Sequence, residues 1–256
     1  MKFKAITMTK AFVMPLILAL AACGGSGGNG DAATASLANS AEGLWIGSTS
    51  TSRSVTGFVL DNGVYWILYS IPHASSLMAG VVQGTGSSVN GSFSSSDGID
   101  FNLEGQGINN ATVSASYVVQ QSFNGSVTYP GLDQAFTFAS TYNTDYDQTP
   151  SVSVIAGTYT GVASVAGSDE LTTIVISSPG VVAGTGTGGC KFLGTVTPRA
   201  RGNVYDLSVV FGGGVCPGGT STVAGIGFFD ASAKRFYVAA LNKSRNNGLI
   251  FAGIKS

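Results

Sequence analysis

Three cysteines have the most definite chemistry in this sequence of 256 residues. Cys23 follows a basic start, an apolar run over residues 11–22 and a set of small residues, which is the order of an export signal with its cleavage site. Cys190 and Cys216 lie in the second half of the chain. An exported chain reaches a compartment where disulfides persist, so we expect these two cysteines to bond to each other. Closing a loop of about 26 residues would stabilise the fold by roughly 3 kcal/mol.

The segment Leu20-Ala21-Ala22-Cys23 resembles the lipobox of bacterial lipoproteins. This resemblance implies cleavage before Cys23, which would then carry a diacylglycerol and an N-acyl chain as a membrane anchor worth about 0.8 kcal/mol per buried methylene. An uncleaved membrane span is the alternative, but the apolar run is shorter than the ~20 residues that a span needs. By resemblance to enterobacterial lipoproteins, Gly24 permits the outer membrane. We predict a lipid-anchored protein on the periplasmic face or the cell surface.

Few side chains suggest catalysis or metal binding. His73 is the single histidine and lies in a predicted loop, so it supports neither a multi-histidine metal site nor a catalytic triad. Asp97 and Asp100 are typical of a turn followed by a strand. Asp145 and Asp147 could hold calcium only with ligands from elsewhere, which keeps calcium as an open alternative. We predict no enzyme activity, no cofactor and no metal site.

The densest aromatic group in the sequence consists of Trp45, Tyr65, Trp66 and Tyr69. Core packing is one interpretation, because large aromatic side chains bury a large apolar area. A ligand-lining or exposed recognition patch is the other.

Short runs of valine, isoleucine, phenylalanine and tyrosine, bounded by turn residues, must position these groups. In the first half, Asp61-Asn62-Gly63 predicts a hairpin turn, and Val113, Ala115 and Tyr117 alternate with polar residues. In the second half we predict eight strands, over residues 159–165, 171–176, 181–184, 191–197, 204–211, 222–229, 235–241 and 249–254. The chain is therefore predicted to be all-β, with two tandem small antiparallel β-barrels or sandwiches of about eight strands each.

Two landmarks recur in the same order in both halves and predict an internal repeat of about 105 residues. Gly43-Leu-Trp-Ile-Gly47 resembles Gly157-Thr-Tyr-Thr-Gly161, and residues 80–86 match residues 180–186 at six of seven positions. The Gly-x-Trp opening also resembles the first strand of lipocalin- and avidin-type barrels, which implies a ligand-binding lumen. We predict a signal peptide over 1–22, a flexible Gly/Ser/Ala tether over 23–40 and two β domains over 41–149 and 150–256 that fold independently.

The two halves differ in charge. Residues 41–150 hold eight acids and one base, for a net charge of −7, whereas residues 151–256 hold four acids and eight bases, for +4. This asymmetry suggests that the halves prefer different partners, or each other. Basic residues form no dense run, which disfavours nucleic acid as a partner.

These features predict a non-catalytic, lipid-anchored envelope protein that binds a protein partner at the cell surface. The predicted arrangement resembles the surface lipoproteins of Gram-negative bacteria that carry tandem small barrels on a flexible tether. One alternative is a periplasmic inhibitor of a basic hydrolase such as lysozyme, which the acidic half would attract. The other is a carrier of a small molecule in a barrel lumen.

Overall fold

A computed structural model describes residues 39–165 and 167–256 of the chain. The predicted signal peptide, Cys23 and nearly all of the predicted tether lie outside the described residues. Within the described residues, no helix is long and apolar enough to cross a membrane. The regular secondary structure of the described residues is almost all β-strand, arranged as two antiparallel barrels. The all-β prediction is confirmed, and the architecture in both halves is a barrel and not a sandwich.

The first barrel contains nine strands, of which eight form the wall. Strand β4 pairs with both β3 and β6, which closes the sheet on itself, and the short β5 extends the pairing of β6. The strands are β1 Gly43–Thr49, β2 Ser54–Val59, β3 Val64–Ile71, β4 Ala74–Thr85, β5 Ser87–Val89, β6 Ser92–Asn102, β7 Ile108–Val118, β8 Ser122–Tyr129 and β9 Gln134–Tyr142.

The second barrel is a closed eight-stranded meander in which each strand pairs with its sequence neighbours and β10 pairs with β17. A 3-10 helix over Thr144–Asp147 and one turn of helix, α1 over Val152–Ile155, connect the two barrels. The strands are β10 Gly157–Val165, β11 Ser168–Ile176, β12 Val181–Gly186, β13 Lys191–Pro198, β14 Tyr205–Phe211, β15 Thr222–Asp230, β16 Arg235–Leu241 and β17 Gly248–Lys255.

Both barrels open with the same local arrangement. In β1 the indole Nε1 of Trp45 donates to the carbonyl of Ala41 at 2.9 Å, and in β10 the hydroxyl of Tyr159 donates to the carbonyl of Ile155 at 2.7 Å. The aromatic residue therefore bonds back four residues in each case, which fixes the angle at which the chain enters the barrel. The second landmark is not equivalent, because residues 80–86 begin on the fourth strand of their barrel and residues 180–186 begin at the third.

In the part of the chain that the structure describes, three apolar clusters stabilise the fold. Two fill the barrel interiors, around Trp45 and Tyr65 in the first and around Tyr159 and Phe236 in the second. The third cluster lies between the barrels and combines the outward-facing side chains of both walls. Its buried members are Leu44, Phe58, Leu60, Trp66, Leu68, Val81, Phe101 and Tyr146 from the first half, with Val204, Ile226, Phe228, Ala239, Leu241 and Ile250 from the second.

Ion pairs surround this third cluster, and in each inter-barrel pair the first half supplies the acid and the second half the arginine. Arg199 lies 2.7 Å from Asp61, and Arg201 lies 2.9 Å from Glu42. Arg245 donates to the backbone carbonyl of Asp97 at 2.8 Å. The opposite net charges of the two halves thus meet within the molecule.

Glu42 is the buried member of these pairs, with only 2% of its surface exposed. Burial raises the pKa of Glu42, while Arg201 and the hydroxyl of Tyr146 act in the opposite direction. We expect Arg201→Met to lower the free energy of unfolding at pH 7 by about 2–4 kcal/mol, because it leaves a buried carboxylate without its partner.

The double variant Glu42→Gln/Arg201→Met is the matched control. It removes the buried charge together with its partner, so we expect it to recover most of the lost stability. Urea unfolding of the single and double variants measures the difference. An equal loss in both would mean that Arg201 acts by packing and not by neutralising Glu42.

The predicted disulfide is present and joins Cys190 to Cys216. Cys190 immediately precedes β13, and Cys216 lies in the glycine-rich loop between β14 and β15. Both cysteines are buried, whereas the neighbouring Val215 is 68% exposed. The bond therefore fixes the base of an exposed loop at one end of the second barrel.

Candidate functional site

The first barrel contains a cavity of about 410 Å³ that opens at the end of the barrel opposite the entry of the chain. Its floor is apolar and its rim is mostly polar, with charged and amide side chains contributed by the turn between β1 and β2, the loop between β6 and β7, and β9. The floor consists of Val55, Ile67, Val82, Val127 and Phe138, and the rim includes Thr51, Arg53, Asn102, Glu104, Gln106, Asn109, Gln134 and Phe136.

Asp100 on β6 is the central polar group of the cavity wall and is only 4% exposed. Its Oδ1 accepts a hydrogen bond of 2.7 Å from the hydroxyl of Tyr69, and its Oδ2 accepts one of 2.8 Å from the hydroxyl of Tyr129. The side-chain amide of Asn102 donates to the Tyr69 oxygen at 3.0 Å. Three strands, β3, β6 and β8, therefore converge on a single carboxyl group.

A register shift in β6 turns Asp100 into the cavity. Along this strand Phe93 and Ser95 are buried in the barrel interior, but the pairing with β7 is irregular between Ser95 and Gly98. Beyond this point the inward-facing positions are Gly98, Asp100 and Asn102. A bulge changes which side chains face inward, and here it places a carboxyl group in the barrel where strict alternation would place Phe101.

Burial is the largest influence on the ionisation of this group. It raises the pKa of Asp100 to about 6, although the hydrogen bonds from Tyr69 and Tyr129 and the charge of Arg53 favour the ionised form. Burial and the neighbouring carboxylate raise the pKa of both tyrosines. The two hydroxyls therefore keep their protons and remain donors to Asp100.

The cation at the cavity mouth, Arg53, is already engaged. Its Nη1 donates to the carbonyl of Ser70 at 2.9 Å and lies 2.7 Å from a carboxylate oxygen of Glu104. The guanidinium also lies over the ring of Tyr69, 5.5 Å from its centroid. Arg53 therefore links the rim to the wall, and its charge is balanced by Glu104.

The structure separates the four aromatic residues that the sequence groups together. Trp45 and Tyr65 pack in the barrel interior, Trp66 lies in the cluster between the barrels, and Tyr69 lines the cavity. Successive residues of β3 point to opposite faces, and both faces of this strand are buried.

The other candidates do not line the cavity. His73 is exposed in the turn between β3 and β4. Asp147 accepts a hydrogen bond from Tyr142 at 2.6 Å, and Asp145 accepts one from Gln148 at 2.9 Å. Among residues 39–165 and 167–256, no group of three or more histidine, cysteine, aspartate or glutamate side chains could hold a metal ion.

Sequence reasoning did not select Asp100, Tyr129 or Arg53 as site residues. The sequence around Asp100 is a short stretch in which Ile99, Phe101 and Leu103 alternate with polar residues. An acid in such a stretch is either on the solvent face of a strand or a buried group with a partner. The bulge that decides between these two is not visible in the sequence pattern.

Comparisons with known proteins do not assign this chain to a family. No protein-family profile matches the chain, and no curated protein sequence matches it. Among the matching solved structures is a candidate outer membrane protein of Bacteroides fragilis, with 16% identity, coverage of 86% of this chain and 98% of that one, and a TM-score of 0.26. A superposition of this quality carries no argument about function.

Proposed function

We propose that this protein is a non-catalytic binding protein of the bacterial envelope and that the cavity of the first barrel is its ligand site. The observation that supports this most strongly is the buried carboxyl group of Asp100, held by two tyrosines at the wall of a cavity. Burying a carboxyl group costs free energy. Such a group is retained in a protein where it serves a purpose. Ligand sites typically combine an apolar pocket with a few convergent polar groups.

The dimensions and position of the cavity also support this proposal. Its volume of about 410 Å³ lies within the ~300–1,000 Å³ that is usual for small-molecule sites. Its mouth lies at the end of β1, whereas the N-terminal segment enters at the start of β1. A barrel tethered through that segment would present its mouth away from the point of attachment.

A cavity-filling variant tests the proposal. We expect Val127→Trp to abolish ligand binding, because Val127 lies on the cavity floor and the larger side chain would occupy the ligand volume. The mature chain is produced in its native host as an exported protein without the lipid and is measured by native mass spectrometry. A bound non-protein mass should be present in the natural sequence and absent in this variant.

Val118→Trp is the matched control, because Val118 lies on the outer face of β7 and is 51% exposed. It introduces the same residue without changing the cavity and should keep the bound mass. If the natural chain carries no bound mass and binds no member of a small-molecule library, the proposal is wrong.

We also propose the location and the second partner that the sequence suggests, namely lipid attachment at Cys23, the outer membrane, and a protein partner at the cell surface. An apolar row on the outer face of β11–β14 favours a protein contact. It consists of the cross-strand neighbours Val175, Ala183, Leu193 and Val210. Protease treatment of intact cells should degrade a protein at the surface and spare one inside the periplasm.

The structure gives less support to an inhibitor of a basic hydrolase. That proposal rests on the acids of the first half, and three of these, Glu42, Asp61 and Asp97, contact arginines of the second barrel. Glu104 contacts Arg53 in the same way. Their charges are largely balanced within the molecule and contribute little to attraction of a basic enzyme.

A further inference from the structure

The polar groups around Asp100 determine what a ligand must bring. The hydroxyls of Tyr69 and Tyr129 each donate their single proton to Asp100, and the Tyr69 oxygen accepts a hydrogen bond from the side-chain amide of Asn102. A carboxylate offers about four acceptor positions, of which the tyrosines use two. The carboxyl oxygens of Asp100 and the Tyr129 oxygen can therefore still accept hydrogen bonds, but they have none to donate. A ligand at this level of the cavity must be a hydrogen-bond donor.

The charges of the cavity point in the same direction. Its charged lining residues are Asp100, Glu104 and Arg53, and Glu104 balances Arg53 at 2.7 Å. An anion would have to displace Glu104 from the guanidinium and would then meet the carboxyl group of Asp100. A cation meets Asp100 directly.

The walls suit an organic cation in particular. The rings of Tyr129 and Phe136 pack edge to face with centroids 5.7 Å apart, and both residues line the cavity. Aromatic faces attract ammonium groups, and this attraction grows when water is excluded. Below them, Val82, Val127 and other apolar floor residues can pack against a hydrocarbon group.

We propose that the ligand of this cavity is a small organic amine in its ammonium form. Its N–H groups donate to Asp100 and to the Tyr129 oxygen, and its hydrocarbon part lies on the apolar floor. This inference rests on the proposed binding function and adds the chemical class of the ligand.

Three phenyl-substituted probes of similar size with different head groups test this inference: 2-phenylethylamine, 2-phenylethanol and phenylacetate. Binding to the mature chain is measured from the methyl NMR signals of Val82 and Val127. We expect the amine to bind at least about tenfold more tightly than the alcohol, because its ammonium group is a charged donor to Asp100 whereas the hydroxyl is a neutral one. Phenylacetate should bind most weakly.

Substitution of the carboxyl group isolates its contribution. In Asp100→Asn we expect the affinity for the amine to fall about tenfold or more, while the affinity for the alcohol changes by less than about threefold. Asp133→Asn is the matched control, because Asp133 is exposed in the turn between β8 and β9 and does not line the cavity. It removes the same charge and should leave the affinity for the amine unchanged.

The affinity for the amine should also fall as the pH is lowered from 7 to 5, because protonation of Asp100 removes the charge that attracts the ligand. The other titratable or charged groups that face Asp100 are Tyr69, Tyr129, Arg53 and Glu104. If Asp100 is responsible, the pH dependence disappears in Asp100→Asn. If it persists there, another group of this set controls binding and the inference is wrong.

The outcomes separate this inference from the function on which it rests. Equal affinities for the amine and the alcohol would show a binding cavity without preference for cations, which overturns the inference alone. Tighter binding of phenylacetate would assign the site to anions at Arg53. If no probe moves the signals of Val82 or Val127 and the native chain carries no bound mass, both proposals fail.

Discussion

The variant Phe228→Ala, in the wall of the second barrel, should destabilise the first barrel as well. Phe228 is 5% exposed, and its ring lies 5.3 Å from that of Phe58 across the contact between the barrels. Truncating a buried phenylalanine costs about 3–5 kcal/mol. The lost contacts belong to a cluster shared by both walls. We therefore expect the free energy of unfolding of each barrel to fall by this full amount.

Hydrogen exchange measured by mass spectrometry can read each barrel separately. Peptides from β7 and β8 report on the part of the first barrel that contributes no residue to the shared cluster. Val210→Ala is the control, because Val210 is 48% exposed on the second barrel and its truncation should cost less than about 0.5 kcal/mol. Unchanged protection in β7 and β8 of Phe228→Ala would support the prediction from the sequence that the halves fold independently.

The second large effect concerns Asp100 and has the opposite sign. We expect Asp100→Asn to raise the free energy of unfolding at pH 7, by as much as about 3 kcal/mol. The pKa of Asp100 is raised to about 6 from a usual value near 3.8. As the pH rises between these two values, the unfolded chain loses its proton while the folded chain keeps it. The folded state is therefore progressively disfavoured, and the full cost is present above pH 6.

Unfolding in urea at pH 4 and at pH 7 measures this effect. The stabilising effect of Asp100→Asn should be present at pH 7 and mostly lost at pH 4, where Asp100 is protonated in the folded chain and only about half ionised in the unfolded one. The control Asp133→Asn, in an exposed turn, should change the free energy of unfolding at pH 7 by less than about 0.5 kcal/mol. A variant that is less stable than the natural chain at pH 7 would mean that the ionised carboxyl group stabilises the barrel.

The measurements of amine binding and of fold stability in Asp100→Asn together would distinguish a binding role of Asp100 from a structural one. A residue retained for stability should weaken the fold when it is replaced. A residue that weakens amine binding but strengthens the fold when replaced is retained for the ligand, as is common where a site needs a strained or poorly solvated group.

Much of this fold follows from local sequence patterns. The eight strands predicted for the second half agree with β10–β17 to within a few residues at each end, and the turn at Asp61-Asn62-Gly63 joins β2 to β3 as predicted. In β7 the alternation of Val113 and Tyr117 with polar residues separates the buried side from the exposed side. Turn residues and a period of two determine these features locally, so one sequence is sufficient to predict them.

The site and the shared cluster depend on non-local arrangements. The run from Val64 to Tyr69 lacks alternation, which indicates a strand buried on both faces but does not identify what covers the outer face. The second barrel does so, through residues more than 130 positions away such as Val204 and Phe228. The position of Asp100 depends on the bulge in β6, which arises from the pairing with β7 and not from a motif within β6.

The way the chain enters the first barrel has a mechanical consequence. The hydroxyl of Tyr117 bonds the carbonyl of Asn39 at 2.7 Å, and the backbone N–H of Ala41 donates to Ser88 at 3.0 Å. Strand β1 then pairs along its length with β2 on one side and β9 on the other. A pull on the N-terminal segment is directed along β1, across the hydrogen bonds of both neighbours, which lie perpendicular to the strand. Such a force loads these bonds together in shear and does not open them one at a time, so the barrel can bear tension through the same segment that would join it to a membrane.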